Sequence, residues 1–168
     1  MRRLWFPTVL ALTAGSLTAC TPAPLPVAAL AVVGERIVVV MVACGGHSVI
    51  SIDEDERPSR HTTVSVYDVL PSWSVEGGSP PEGEVTEIVA FGQPPAGWKT
   101  EKSELTELQP DVQYALRGWS DREAASVWFR SADLENLGPD VVVTAADDYK
   151  NKIVKRSSFE KKARASCP

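Results

Sequence analysis

Between Val27 and Ala43 the chain is apolar almost without a break. The run Val27–Val33 is interrupted at Gly34-Glu35-Arg36 and resumes over Ile37–Ala43. Two β-branched runs around a Gly-containing break predict a hairpin. Neither run alternates with polar residues, which predicts strands buried on both faces. Glu35 and Arg36 at the centre argue against a membrane-spanning segment. After the turn Cys44-Gly45-Gly46, His47–Asp53 sets Val49 and Ser51 against Ser48, Ile50 and Ile52, a strand pattern. Asp53–Pro58 reads as a charged loop. Further strands are expected over His61–Leu70, Glu84–Phe91, Ala125–Arg130 and Val141–Thr144. Gly77–Gly83 and Gly92–Gly97 read as a loop and a turn. Near the C-terminus, Ser157 and Glu160 have the spacing of a capping box. Phe159, Ala163 and Cys167 fall on one helical face. The pattern predicts a mainly β chain: a β-sandwich-like single domain with a short C-terminal α-helix whose apolar face docks on a sheet.

The N-terminus follows a different logic. Met1-Arg2-Arg3 is positive, and the sixteen residues Leu4–Ala19 carry no charge. That is short of the roughly 20 residues a spanning helix needs, and it has the form of a signal peptide. It ends Leu17-Thr18-Ala19-Cys20. This tetrad resembles the lipobox of bacterial exported lipoproteins. The resemblance implies that Cys20 receives a diacylglyceryl thioether and becomes the mature N-terminus. The alternative is an ordinary secretory peptide with a chance cysteine. Two acyl chains, at about 0.8 kcal/mol per buried CH₂, hold a protein firmly on a membrane. Thr21–Pro26 is Pro-rich and, if extended, reaches roughly 20 Å. The expected organisation is a signal peptide over 1–19, a lipidated cysteine and stalk over 20–26, and a β-rich extracytoplasmic domain over 27–168.

Removing residues 1–19 from 168 leaves 149, the size of one domain. The full chain has a formal net charge of −5 and no basic patch of the kind nucleic-acid binding requires. Only Lys152–Arg164 is locally basic. It reads as a solvated helix face or as a contact for anionic lipid headgroups close to the tether. With Cys20 lipidated, Cys44 and Cys167 remain. Thiols outside the cytoplasmic membrane tend to pair, and a bridge here would close nearly the whole domain. No C-x-x-C is present to support a redox or metal site.

Leu108, Pro110 and Tyr114 have the spacing that opens strand F in fibronectin type III domains, and the segment resembles it. The resemblance implies a tyrosine whose hydroxyl bonds back to the preceding turn. Val112 stands where those domains usually carry Thr, and the likeness covers a small part of the chain. The wider layout of a lipobox, a cysteine after the second strand, a Phe-containing helix and a terminal cysteine resembles small actinobacterial exported lipoproteins. That resemblance brings no activity with it.

Catalytic patterns are incomplete. Gly46-His47-Ser48-Val49-Ile50 lacks the final glycine of a nucleophile elbow. Ser158-Phe159-Glu160-Lys161 matches S-x-x-K without its S-D-N and K-T-G partners. No catalytic residue is assigned, and no cofactor is implied. For metal, His47 and His61 are the histidines, with Asp53 or Asp55 as companions, too few to define a site. Asp53–Glu56 lacks the glycine and terminal Glu of a calcium loop. Trp73 and Trp98 lie beside Pro- and Gly-rich loops and are the candidates for exposed binding aromatics, toward protein or sugar.

The sequence therefore points to a lipid-anchored protein on the extracytoplasmic face of the cell membrane. It would act as a non-enzymatic binding or accessory module, with membrane lipid and an envelope protein as partners. The alternative is a small-ligand binder or enzyme with a pocket that no motif reveals. Cys20→Ala is expected to shift the protein from the membrane fraction to the medium, or to leave it unprocessed. Undiminished retention in the membrane pellet would remove the anchor.

Overall fold

The computed structural model describes residues 24–55, 70–120, 122–146 and 150–167. The signal-peptide and Cys20 assignments lie outside these residues, as does the strand expected from His61, apart from Leu70. Among the described residues the chain is mainly β, two antiparallel sheets and one helix.

The apolar hairpin forms as its sequence predicts. β1 (Ala28–Val33) and β2 (Arg36–Val42) pair antiparallel from Ala28 with Met41 to Val33 with Arg36. Gly34 has φ +62°, the positive value that the first residue of a tight two-residue hairpin loop needs and glycine supplies without strain. β5 (Val85–Val89) pairs with β2; β10 (Val141–Ala145) pairs with β1; β11 (Asn151–Lys155) pairs with β10. The first sheet runs β11-β10-β1-β2-β5.

The second sheet contains β3 (Ser48–Glu54), β4 (Ser72–Gly77), β6 (Trp98–Ser103) and β7 (Tyr114–Ser120). Its order is β6-β4-β3-β7, and the free edge of β7 carries the short β8 (Arg122–Glu123) and β9 (Val127–Phe129). Here strands do alternate. Ser48, Ile50 and Ile52 of β3 are buried while Val49, Ser51 and Asp53 are half-exposed. One side of this sheet packs inward; on the other, Arg117 and Trp119 of β7 are exposed while Ser72 and Ser74 of β4 stay buried.

The first sheet is covered on both sides, which explains its unalternating sequence. On one side it meets the second sheet. Gly118 of β7 comes so close that an added Cβ would lie 3.1 Å from Ile50 and 3.8 Å from Ala28. On the other side lies α1 (Arg156–Ser166), against β10, β11 and β2. The helix buries Phe159 and Ala163, two of the three positions expected on its apolar face; the third, Cys167, is its C-cap and is partly buried. Burial of the phenyl ring contributes about 1.5–3 kcal/mol.

The helix start differs from expectation. Lys155, the last residue of β11, is the N-cap, and no side chain caps the helix. Ser157 lies within the helix, so no capping box forms with Glu160. Other bonds hold this end. Arg156 N–H donates to Asp140 O at 2.9 Å, and its guanidinium spans Glu87 of β5 at 2.5 Å and Glu160 at 2.8 Å. Burial works against the charge on Arg156, but Glu87 and Glu160 together raise its pKa further above the usual guanidinium value. At the other end, Cys167 and Cys44 sulfurs are 2.03 Å apart, at disulfide distance. Arg164 Nε adds a bond to Gly83 O, and Gly83 N–H bonds Ala43 O.

Four strands go beyond the sequence expectation: β4, β6, β8 and β11. β3 runs one residue past the expected end at Asp53, through Glu54, because Gln113 and Pro71 carbonyls accept the N–H groups of Asp55 and Glu54 and extend the pairing. The Tyr114 hydroxyl does bond back across its turn, accepting from the N–H of Gln109 at 2.7 Å. Its ring is fully buried, 5.8 Å from Phe129.

Two outcomes test this account. Tyr114→Phe strands a backbone N–H and is expected to cost about 1–2 kcal/mol in urea unfolding; no measurable change would mean water replaces the hydroxyl. Replacing both Cys44 and Cys167 by Ser, across a sequence separation of 123, is expected to cost about 4–5 kcal/mol by loop-closure entropy. A cost below about 1 kcal/mol would show that packing and Arg156 suffice to hold α1.

Candidate functional site

Once Tyr114 is fixed inside the sandwich, the two-residue period of a strand decides where the rest of β7 points. Tyr114 and Leu116 face the core and are fully buried, and Gly118 lies between the sheets. Arg117 and Trp119 therefore stand on the opposite side. Trp119 is 52% exposed, one of two large hydrophobic residues so exposed among the described residues. The other is Ile153 of β11, 64% exposed.

Cross-strand register builds the rest of this face. Trp119 is opposite Val49 of β3, which is opposite Glu76 of β4, which is opposite Lys99 of β6. The next row sets Arg117 beside Ser51 and Ser51 beside Ser74. Arg117 is held by Asp53 at 2.7 Å, with Asp55 at 3.9 Å, and Ser51 Oγ donates to the same Asp53 carboxylate. Glu76 takes His47 Nε2 at 3.0 Å and Lys99 at 3.4 Å. The Lys99 ammonium, bonded first to Glu101 and then to Glu76, has its pKa raised. Val49, Ser51, Arg117, Gly118 and Trp119 line a shallow depression of about 270 Å³. The result is a pleated, nearly flat surface. One indole projects from it beside a guanidinium whose position two carboxylates set.

The two tryptophans singled out from the sequence lie elsewhere. Trp73 is not exposed: it is 2% accessible, on the inner face of β4, edge-on to Phe91 at 5.7 Å. The Pro- and Gly-rich segment beside it is a neighbour in sequence, and β4 alternation turns the ring inward. Trp98 is half-buried, laid over Gly77, where a Cβ would collide with its indole. It lines a cleft of about 390 Å³ between the edges of the two sheets, with Glu84, Glu87 and Pro95. Trp119 is not among the sequence candidates; the inward register of Tyr114 sets its outward position.

The other sequence candidates separate. Ser48 is fully buried in β3, and its hydroxyl has no hydrogen-bond partner among the described residues. It sits in a strand and not on a strand-to-helix turn, so no elbow exists there. Ser158 and Lys161 are exposed on α1. His61 lies outside the described residues. Among the described residues no three His, Cys, Asp or Glu side chains gather as a metal site, and no helix is long and apolar enough to cross a membrane. No family model, no curated protein and no solved structure matches the chain.

Proposed function

We propose that this protein is a membrane-anchored extracytoplasmic lipoprotein that works as a non-enzymatic binding module, docking an envelope protein on the open face of its second sheet. The observation that carries the reading is Trp119, half-exposed on a flat face with Arg117 pre-positioned beside it. Tryptophan and arginine dominate the energetics of protein interfaces. A carboxylate-held guanidinium loses less freedom on docking than a mobile one. The lipobox tetrad and the Pro-rich stalk support the placement at a membrane. The cleft beside Trp98 favours the alternative of a small ligand. Its volume lies in the range of ligand pockets, and Glu84 and Glu87 give it polar walls.

The test is crosslinking and capture from intact cells with the lipidated chain, its Trp119→Ala variant and a Trp98→Ala variant. The proposal expects one near-stoichiometric envelope protein, lost with Trp119→Ala at a cost of about 2 kcal/mol or more, roughly 30-fold in affinity. Trp98→Ala should leave capture intact. Capture that is indifferent to Trp119 would move the interface off this face. An empty capture with Trp98-dependent binding of a small solute would favour the cleft.

A further inference from the structure

The anchor and the folded domain meet at a defined place. Leu25 is fastened to the second sheet: its carbonyl accepts the N–H of Ala125 at 2.7 Å, and the residue forms a parallel bridge with Ala124. The Val27 N–H closes a tight turn onto the same carbonyl around Pro26. Pro26 then faces the helix layer. With Thr144, Lys152, Val154, Phe159 and Lys162 it lines a mostly apolar groove of about 210 Å³.

The helix divides its charge unequally around this groove. Arg156 and Arg164 lie on the flank away from Pro26 and are engaged by Glu87, Glu160 and the Gly83 carbonyl. On the flank toward Pro26, Lys152 and Lys162 have no ion-pair partner among the described residues. The same holds for Lys161 on the outward side. Among the described residues no carboxylate lines the groove.

We infer that this lysine-bordered face of α1 and β11 is the membrane-facing surface of the protein, seated on anionic phospholipid headgroups. The inference rests on lipidation of Cys20. From Cys20 to Pro24 the chain spans four residues, at most about 14 Å in any conformation. The fastening of Leu25 prevents the domain from peeling away to extend that reach. A domain held this close presents to the bilayer whatever surrounds the tether's base. Here that surface is cationic on a protein whose net charge is −5. Ammonium groups within a Debye length of an anionic leaflet are attracted to it. The apolar groove between Lys152 and Lys162 lets their stems lie flat, with their ammonium groups turned to the phosphates.

The experiment is amine acylation read by mass spectrometry. The lipidated full chain is reconstituted in vesicles of phosphatidylcholine alone or of phosphatidylcholine with phosphatidylglycerol. Labelling of Lys152, Lys161 and Lys162 is expected to fall about fivefold in the anionic vesicles relative to the neutral ones. Lys99, on the opposite face, is the internal reference and should not change. The protection should vanish in roughly 1 M salt, where the Debye length is about 3 Å. A Lys152→Glu/Lys162→Glu variant, altered only at solvent-facing ammonium groups, should label Lys161 equally in both vesicles. Equal labelling of the wild-type chain in both compositions would overturn the orientation while leaving the anchor standing. The mass of the mature N-terminus is read in the same run, and an unacylated Cys20 would overturn both.

Discussion

The rest of the structure depends on one constraint: the β1–β2 hairpin is apolar on both faces. Ala29, Leu30, Val39 and Val40 are each fully buried, although neighbours in sequence point in opposite directions. A sheet with one exposed side could not accommodate them. The hairpin must form the middle of three layers, so the chain has to supply two covers. The second sheet is one, and its inner residues Ile50, Ile52, Trp73, Val75 and Leu116 are large enough to fill the space. The other is α1, only 11 residues long. A helix of that length is marginal on its own in water. That explains why it is fastened at several points: Phe159 in the core, Arg156 across to β5, and Cys167 to Cys44 just past the end of β2.

Three layers give the molecule two dissimilar ends. On one side is the helix with lysines that have no ion-pair partner among the described residues, and on the other the outer face of the second sheet with Trp119. The opposition follows from the buried hairpin. Whatever covers one side of the first sheet is separated from what covers the other by the full depth of the sandwich. The charge pattern respects the division. On the sheet face the cations are paired, Arg117 with Asp53 and Lys99 with Glu101 and Glu76. A paired lattice around one indole suits a protein surface, since desolvating paired groups costs less than desolvating isolated ones. Beside the groove on the helix side, Lys152 and Lys162 have no ion-pair partner among the described residues, which suits a surface that supplies negative charge.

What could be read from the sequence follows the same physics. Strands buried on two faces announce themselves as continuous apolar runs, and β1, β2 and β10 were legible for that reason. The helix was legible from Phe159 and Ala163, but its start was not. Its first turn is set by Arg156 reaching Glu87, 69 positions away in the chain, and no local pattern encodes that. β6 was not legible because Lys99–Lys102 is polar on both sides, the composition of a strand at a sheet edge. β4 is legible in its alternation. Trp73 and Val75 alternate with Ser72, Ser74 and Glu76, and a strand reading would have turned Trp73 inward. The same alternation, started from Tyr114, places Trp119 outside. For both tryptophans the informative quantity was parity along a strand, and proximity to Gly- and Pro-rich loops carried no information.

The layer order also bears on how such a module could work. Stacked sheets lie about 10 Å apart, and helices pack at a similar distance. The face carrying Trp119 therefore stands about 20 Å beyond the axis of α1. If the helix side rests on headgroups, the short stalk does not need to lift the domain, because the thickness of the sandwich provides the standoff. A partner approaching from the envelope would meet Trp119 and Arg117 directly, presented on β7 beside the short edge strand β8 and not on a swinging arm. A long flexible linker would give wider reach at the expense of orientation. A lipid anchor on Cys20 would give this chain the opposite combination: a tether fastened at Leu25, lysines on the underside, and a strand carrying the aromatic anchor on the far face. That arrangement fits a protein that holds a fixed position beside a membrane-embedded partner better than one that searches the surrounding space.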